Sequence, residues 1–220
     1  MPSHNHALKL VAFDMEGTLT ADPTLWETMH RKLGTWESHG AVYWERYRAG
    51  EMPYDEFAAM DVAVWKGAPE RLLLQAAEET PLMPGCADLL DGLRSRGVAC
   101  VIVSNGLACL GERLMREHSV ARVYANRHRA RGGTLTGEID IRVPYVAKGQ
   151  VLARAMKEFG AKPEETAAVG DGEADAAMFA AAGLGVAFRP SDPRAVAGAA
   201  HVVPTGDLLE VGRILAGHGR

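Results

Sequence analysis

The chain has 220 residues, 47% hydrophobic and 24% charged, the balance of a globular protein with ample core material, which excludes a disordered chain. No apolar run approaches the roughly 20 residues that cross a bilayer, so no membrane partner is expected. A net charge of −4 without a basic tract argues against a nucleic-acid partner.

The opening residues, His4 and His6 among them, are polar and carry no apolar signal segment, so a cytoplasmic location is expected. Leu8–Phe13 is an apolar run of the buried-strand type that ends at Asp14 and a turn centred on Gly17. Residues 21–82 hold no good strand. They read as helices Thr24–Leu33, Trp36–Arg48, Tyr54–Lys66 and Pro69–Glu79, punctuated by Gly34, Gly50–Pro53 and Gly67–Pro69. All four tryptophans (Trp26, Trp36, Trp44 and Trp65) lie here, beside Tyr54. Helix Cys86–Ser95 follows, then strand Val98–Val103 ending in Ser104–Asn105–Gly106, helix Leu107–His118 and strand Arg122–Ala125. Gly132–Gly133 divides a β-hairpin within Asn126–Ile141. Lys148 lies in a loop before helix Gln150–Phe159, and strand Thr166–Val169 ends in Gly170–Asp171–Gly172. Helix Glu173–Ala182 and strands Leu184–Phe188 and Val202–Val203 complete the pattern. Cys86, Cys100 and Cys109 form no CxxC and read as reduced, partly buried thiols.

Buried strands alternating with helices imply an α/β fold with a doubly wound parallel sheet. Residues 1–20 and 83–220 would form its core, and residues 21–82 a helical cap inserted after the first strand. In such a sheet, ligands bind beyond the carboxyl ends of the strands where strand order reverses. Three strand ends carry polar groups: Asp14 with Glu16, Ser104 with Asn105, and Asp171 with Asp175. Lys148 is placed to reach the same crevice. Oxygen donors from separate strand ends, with a lysine and a hydroxyl, suit Mg²⁺ and a phosphate. There Asp14 is placed to attack phosphorus, and Glu16, two residues on, to protonate the leaving oxygen and then activate water.

The string Asp14-Met-Glu-Gly-Thr-Leu19 resembles the first motif of the haloacid dehalogenase superfamily. Ser104 resembles its second, Lys148 its third and Gly170-Asp-Gly-Glu-Ala-Asp175 its fourth, all in the family's order. The helical insert resembles the family's C1 cap with a Rossmann-like core, and Tyr124-Ala-Asn-Arg127 followed by Gly133-Thr-Leu-Thr-Gly137 resembles the phosphoserine phosphatase branch. The resemblance implies a Mg²⁺-dependent phosphatase of small phosphorylated metabolites, working through a phosphoaspartyl intermediate. It makes Asp14 the nucleophile, Glu16 the acid and base, Asp14, Glu16 and Asp171 the metal ligands, and Asp175 their support. Ser104 and Lys148 would hold the phosphoryl group, with Asn105 or Glu173 replacing the hydrogen bond of the family's asparagine where Ala174 stands.

The sequence departs from that pattern where substrate is chosen. Glu16 stands for the usual aspartate and Ala174 for the usual asparagine. Pro23, with Asp22 adjacent, falls where the branch holds the substrate amine with glutamate, and Asp61 falls near the arginine that holds its carboxylate, a place that Arg46 or Arg48 could fill instead. L-Phosphoserine is therefore a doubtful substrate. Trp26, Tyr54, Asp61 and Trp65 are the candidate cap contacts: either the aromatics are plain cap core and Asp61 an exposed helical acid, or together they form a pocket for a cationic head such as choline or ethanolamine. The alternatives are a phosphotransferase or mutase on the same scaffold, and a phosphate-binding or regulatory module. Oligomeric state has no signature in the sequence.

Overall fold

A computed structural model describes residues 7–191 and 193–218, so His4 and His6 lie outside the described residues. The first apolar run forms β1 (Leu10–Phe13), and every residue of it is buried. Alternation decides which side each side chain takes. Leu10 and Ala12 enter one apolar cluster, Val11 and Phe13 the other. Six further strands complete the sheet: β2 (Ala99–Leu107), β3 (Arg122–Arg131), β4 (Thr134–Asp140), β5 (Thr166–Gly170), β6 (Leu184–Phe188) and β7 (His201–Val203). Their order is β4-β3-β2-β1-β5-β6-β7, parallel throughout except for the β3–β4 hairpin.

The chain leaves β1 toward β2 and β3 on one side, then returns to β5 on the other. Strand order thus reverses at β1, which opens a crevice beyond the carboxyl ends of β1, β2 and β5. This is the doubly wound parallel arrangement that the alternation of strands and helices implies.

Between β1 and β2 run α1 (Leu25–Leu33), α2 (Ala41–Arg48), α3 (Tyr54–Val64) and α4 (Glu70–Glu79). The expected single helix Trp36–Arg48 is in fact a π-helical turn, Trp36–Gly40, leading into α2. The backbone at Gly40 passes so near the Trp36 and His30 rings that a Cβ there would lie 2.6 Å from one and 2.9 Å from the other. The wider turn accommodates that approach. Trp26, Met29, Val62, Trp65 and Leu73 from these helices join the same apolar cluster as Val11 and Phe13. Backbone bonds tie the α3–α4 connection to the hairpin: Gly67 N–H to Leu135 O, Leu135 N–H to Ala68 O and Glu70 N–H to Gly133 O, each 2.9 Å. The hairpin turns through Gly132 and Gly133, both with positive φ (58° and 75°), as a two-residue turn of matching twist requires.

The remaining helices are α5 (Cys86–Ser95), α6 (Ala108–Glu117), α7 (Lys148–Phe159), α8 (Ala176–Ala181) and α9 (Leu208–Gly217). Three boundaries differ from expectation. β2 continues through Ser104–Asn105–Gly106 instead of ending before them, because Leu107 pairs with Asn126 of β3 after a register shift. Lys148 opens α7 rather than lying in a loop, and Glu173–Asp175 form a separate 3₁₀ turn ahead of α8. α9 was not anticipated, although Asp207 caps it by accepting from Leu209 N–H at 2.9 Å and Leu208, Val211 and Leu215 give it a buried stripe. Among the described residues no helix is long and apolar enough to cross a membrane.

Cys86, Cys100 and Cys109 are fully buried, more so than expected, and burial pushes each thiol up to about 12. The folded protein should therefore react with an aromatic disulfide reagent at pH 8 at a small fraction of the rate seen in denaturant. Stoichiometric labelling of the native protein within minutes would contradict this burial.

Candidate active site

Four elements deliver polar groups to the crevice. β1 ends at Asp14, and the chain turns at once through Gly17, whose φ is 85°. A Cβ at Gly17 would lie 2.6 Å from Asp171 Oδ2, so only glycine lets the turn pass beside the end of β5. The turn closes on itself through Thr20 N–H to Met15 O at 2.9 Å. Asp14 and Glu16 therefore both reach the crevice, as the two-residue spacing requires.

Lys148, first residue of α7, is 3% exposed and donates to Asp14 Oδ1 at 2.8 Å and Asp175 Oδ1 at 2.6 Å. Burial works against its charge, but Asp14 and Asp175 outweigh that and hold the ammonium above its usual range. The other oxygen of Asp175 accepts from Gly172 N–H at 2.9 Å, so both its oxygens are committed. Asp171 Oδ1 accepts from the Thr18 hydroxyl at 3.2 Å. The second oxygens of Asp14 and Asp171 have no hydrogen-bond partner among the described residues. Burial, with the charges of Asp14 and Asp175, holds Asp171 well above the usual carboxylate range. Burial likewise lifts Asp175 to about 6, against the pull of Lys148.

Asp14, Asp171 and Asp175 each offer a carboxylate oxygen within 4.8 Å of the others. Three acids facing one ammonium leave excess negative charge in a dry crevice. An all-oxygen, anionic donor set with two uncommitted oxygens fits a hard divalent cation.

Glu16 stands slightly apart. Its Oε1 accepts from Leu25 N–H, the first turn of α1, at 2.7 Å. Burial pushes the carboxyl up to about 7; the Leu25 amide opposes the shift and the Asp14 charge adds to it. Near neutral pH a large share of Glu16 thus carries the proton that a general acid needs.

Ser104 is 2% exposed and its Oγ accepts from Gly106 N–H at 3.0 Å, which leaves its proton free to donate. Asn105 is held differently from its neighbour. Its side-chain amide donates to Val143 O at 2.9 Å, and its backbone carbonyl accepts from Asn126 Nδ2 at 2.6 Å and from the Tyr54 hydroxyl. Asn126, fully buried on β3, also accepts from Arg142 and Val143 N–H at 2.8 and 2.9 Å. It pins the segment at Arg142–Val143, which leads toward α7 and Lys148, to the end of β2. Asn126 was not singled out as a functional position, though it lies within the quoted Tyr124–Arg127 string.

The candidate cap contacts separate. A cavity of about 1200 Å³ between the helical insert and the crevice is lined by Asp14, Glu16, Lys148 and Asp171 on one side and by Trp26, Tyr54 and Asp61 on the other. Trp65 is fully buried behind Trp26, with ring centroids 5.4 Å apart, and does not line the cavity. Asp61 is not the exposed helical acid that its surroundings in sequence favour. It is 2% exposed, with His30 Nε2 3.2 Å from its Oδ1, and His30 Nδ1 is 2.8 Å from Thr35 Oγ1. His30 has no metal-type histidine pair around it in the sequence; its i, i+4 spacing from Trp26 on α1 is the signal that it faces inward.

Residues 8–183 match the sequence profile of the haloacid dehalogenase-like hydrolases. Phosphoserine phosphatase SerB2 of Mycobacterium tuberculosis is 33% identical over 181 residues, 82% of this chain and 44% of that protein. A phosphoserine phosphatase of Halobacterium salinarum is 31% identical over 214 residues, covering 96% of this chain and 99% of its own length. The chain thus spans about half the length of some curated relatives and nearly all of others. A solved structure described as the phospho-aspartyl intermediate analogue of phosphoserine phosphatase superposes with a TM-score of 0.85 at 26% identity, covering 94% and 99% of the two chains.

Two substitutions test the architecture. Asn126→Ala leaves the Arg142 and Val143 amides unpaired and takes one of two donors from the Asn105 carbonyl, and should cost about 3 kcal/mol in urea unfolding. Lys148→Met leaves buried acids without their cation and should cost about 3–5 kcal/mol at pH 8 in EDTA. The folded variant then keeps protons that the unfolded chain releases, so its stability should fall as pH rises from about 5 to 8. A variant whose stability is flat across that range would contradict the electrostatic account of this site.

Proposed function

The chain belongs to the haloacid dehalogenase-like hydrolases, and on that premise we propose that it is a Mg²⁺-dependent phosphatase of small phosphomonoesters. The observation that carries this reading is the pairing of an uncommitted Asp14 oxygen with a buried, Lys148-anchored carboxylate cluster at the strand-order reversal. The phosphoserine phosphatases among its relatives support the reaction class. Residues 21–82 are read as a cap over this site and a cytoplasmic location as its setting.

Asp14 and Asp171, with the backbone carbonyl of Glu16, would hold the cation, and Asp175 would support them through Lys148. Mg²⁺ bound there supplies positive charge opposite the phosphoryl oxygens. The Ser104 hydroxyl and the Lys148 ammonium bind those oxygens from the protein side. The Asn105 side chain, spent on Val143 O, keeps the strand end in place rather than reaching the phosphate.

In the first step the Asp14 oxygen forms a bond to phosphorus while the ester P–O bond breaks. Glu16 gives its proton to the departing alcohol oxygen, and the phosphoryl group remains on Asp14 as an acyl phosphate. In the second step Glu16 takes a proton from water as that water attacks phosphorus. The Asp14–phosphorus bond breaks and inorganic phosphate leaves with Asp14 restored. The sum is ester plus water to alcohol plus phosphate.

Phosphate release from 4-nitrophenyl phosphate and small metabolite esters should require Mg²⁺, vanish in EDTA and return on adding the metal. Asp14→Asn should reduce turnover to background while the circular dichroism and unfolding curves show a folded protein. Undiminished turnover in that variant would remove Asp14 as nucleophile.

A further inference from the structure

α1 and α3 both start at the catalytic floor and run away from it. The first turn of α1 holds Glu16 through Leu25 N–H, and Tyr54 at the start of α3 donates its hydroxyl to Asn105 O. Along α3 the spacing Tyr54, Phe57, Asp61 puts three side chains on one face, and Trp26 and His30 share the opposing face of α1. The walls therefore meet in two layers. Nearest the floor, the Trp26 and Phe57 rings lie 6.2 Å apart, with Tyr47 of α2 stacked on Phe57 at 5.0 Å. The second layer is the His30–Asp61 pair, about 10 Å from Tyr54 along the axis of α3.

This chamber has no cation in its depth that could receive a carboxylate. The protonatable group there, His30, is already beside Asp61. The arginines in the lining, Arg48, Arg189 and Arg194, are all exposed, and Arg194 lies 2.9 Å from Glu173. Carboxylates outnumber cations in the lining. One of them, Asp22, is exposed as those arginines are, makes no ion pair or hydrogen bond among the described residues, and lines the cavity together with Glu16. Aromatic rings and an unpaired carboxylate in one lining, with the acid that protonates the leaving oxygen, are surroundings that favour a positive charge on the leaving group.

Resting on the phosphatase reading above, we propose that the substrate is the phosphate ester of an amino or quaternary-ammonium alcohol that has no carboxylate. Its cation lies against the Trp26, Tyr47 and Phe57 rings, with Asp22 as counter-charge. Asp61 is not that counter-charge, because it lies a layer deeper, buried with His30 Nε2 3.2 Å from its Oδ1. The His30–Asp61 pair instead closes the chamber behind the rings and keeps a carboxylate-binding cation out of it.

The test compares kcat/KM for phosphocholine, phosphoethanolamine, the uncharged choline isostere 3,3-dimethylbutyl phosphate, L-phosphoserine and 4-nitrophenyl phosphate. Phosphocholine or phosphoethanolamine should exceed both the isostere and phosphoserine by at least about 10-fold. In Asp22→Asn and Phe57→Leu the ratio of choline ester to isostere should fall toward one. Equal rates for the choline ester and its isostere, or a lead for phosphoserine, while the nitrophenyl ester turns over, would overturn the cation pocket and leave the phosphatase reading standing. No turnover of any ester would overturn the phosphatase reading itself. Binding then decides the pocket separately, because all four tryptophans lie in the insert. Saturable quenching of tryptophan fluorescence by phosphocholine and not by the isostere would support the pocket, and equal or absent quenching would reject it.

Discussion

A single buried ammonium sets the conditions for the rest of the molecule. Lys148 lies between Asp14 and Asp175 in a crevice where Asp171 adds a third acid, and without it these carboxylates would repel one another in a medium that screens poorly. The fold meets that demand by topology. Reversal of strand order at β1 places β1 and β5 side by side, so that the chain leaves both strands toward the same space. α7 then starts at that space and brings Lys148 in at its first residue. The cluster is only partly neutralised, and that residue of negative charge could hold a metal ion.

Attached to this floor is a chamber whose chemistry is of a different kind. The floor is ionic and its groups are fixed by paired hydrogen bonds; the walls are aromatic and hold one another by ring contacts. Tyr54 and Tyr145 join the two, stacked at 5.7 Å, with the Tyr54 hydroxyl on the Asn105 carbonyl. The same carbonyl is gripped from below by Asn126. One backbone oxygen at the end of β2 thereby receives a donor from the insert and a donor from the sheet, so the position of the aromatic wall is referred to the position of Ser104 next to it.

The ionic half of the site was legible in the sequence because its residues sit at strand ends, where short apolar runs stop at Asp14, Ser104 and Asp171. Such stops are local, and a run of letters shows them. The doubly wound sheet was legible for the same reason. What the sequence hid depends on pairing across distance. Ser104–Gly106 look like a turn, yet they stay in β2 because Asn126, 20 residues on, lies opposite Leu107 in the register. Asp61 looks like a solvated helical acid, and only the packing of α1 on α3 brings His30 to it. Asn126 itself is an ordinary amide until three backbone groups converge on it. The helix at Leu208–Gly217 was missed for a plainer reason: its apolar stripe is short and follows an irregular stretch around Pro193–Val196.

The backbone bonds that join the α3–α4 connection to the β3–β4 hairpin restrict how the chamber can be entered. Gly67, Ala68 and Glu70 are bonded to Gly133 and Leu135 much as one strand is to another, so that half of the insert belongs mechanically to the edge of the sheet. A rigid swing of the whole insert would have to break those bonds or drag the hairpin along. α2 and the π-helical turn before it carry no such ties, and α2 buries none of its residues. The α2 side is therefore the side of the insert least tied to the sheet, and its hold on the rest of the chamber is aromatic: Trp44 and Tyr47 meet Phe57 there at 6.0 and 5.0 Å.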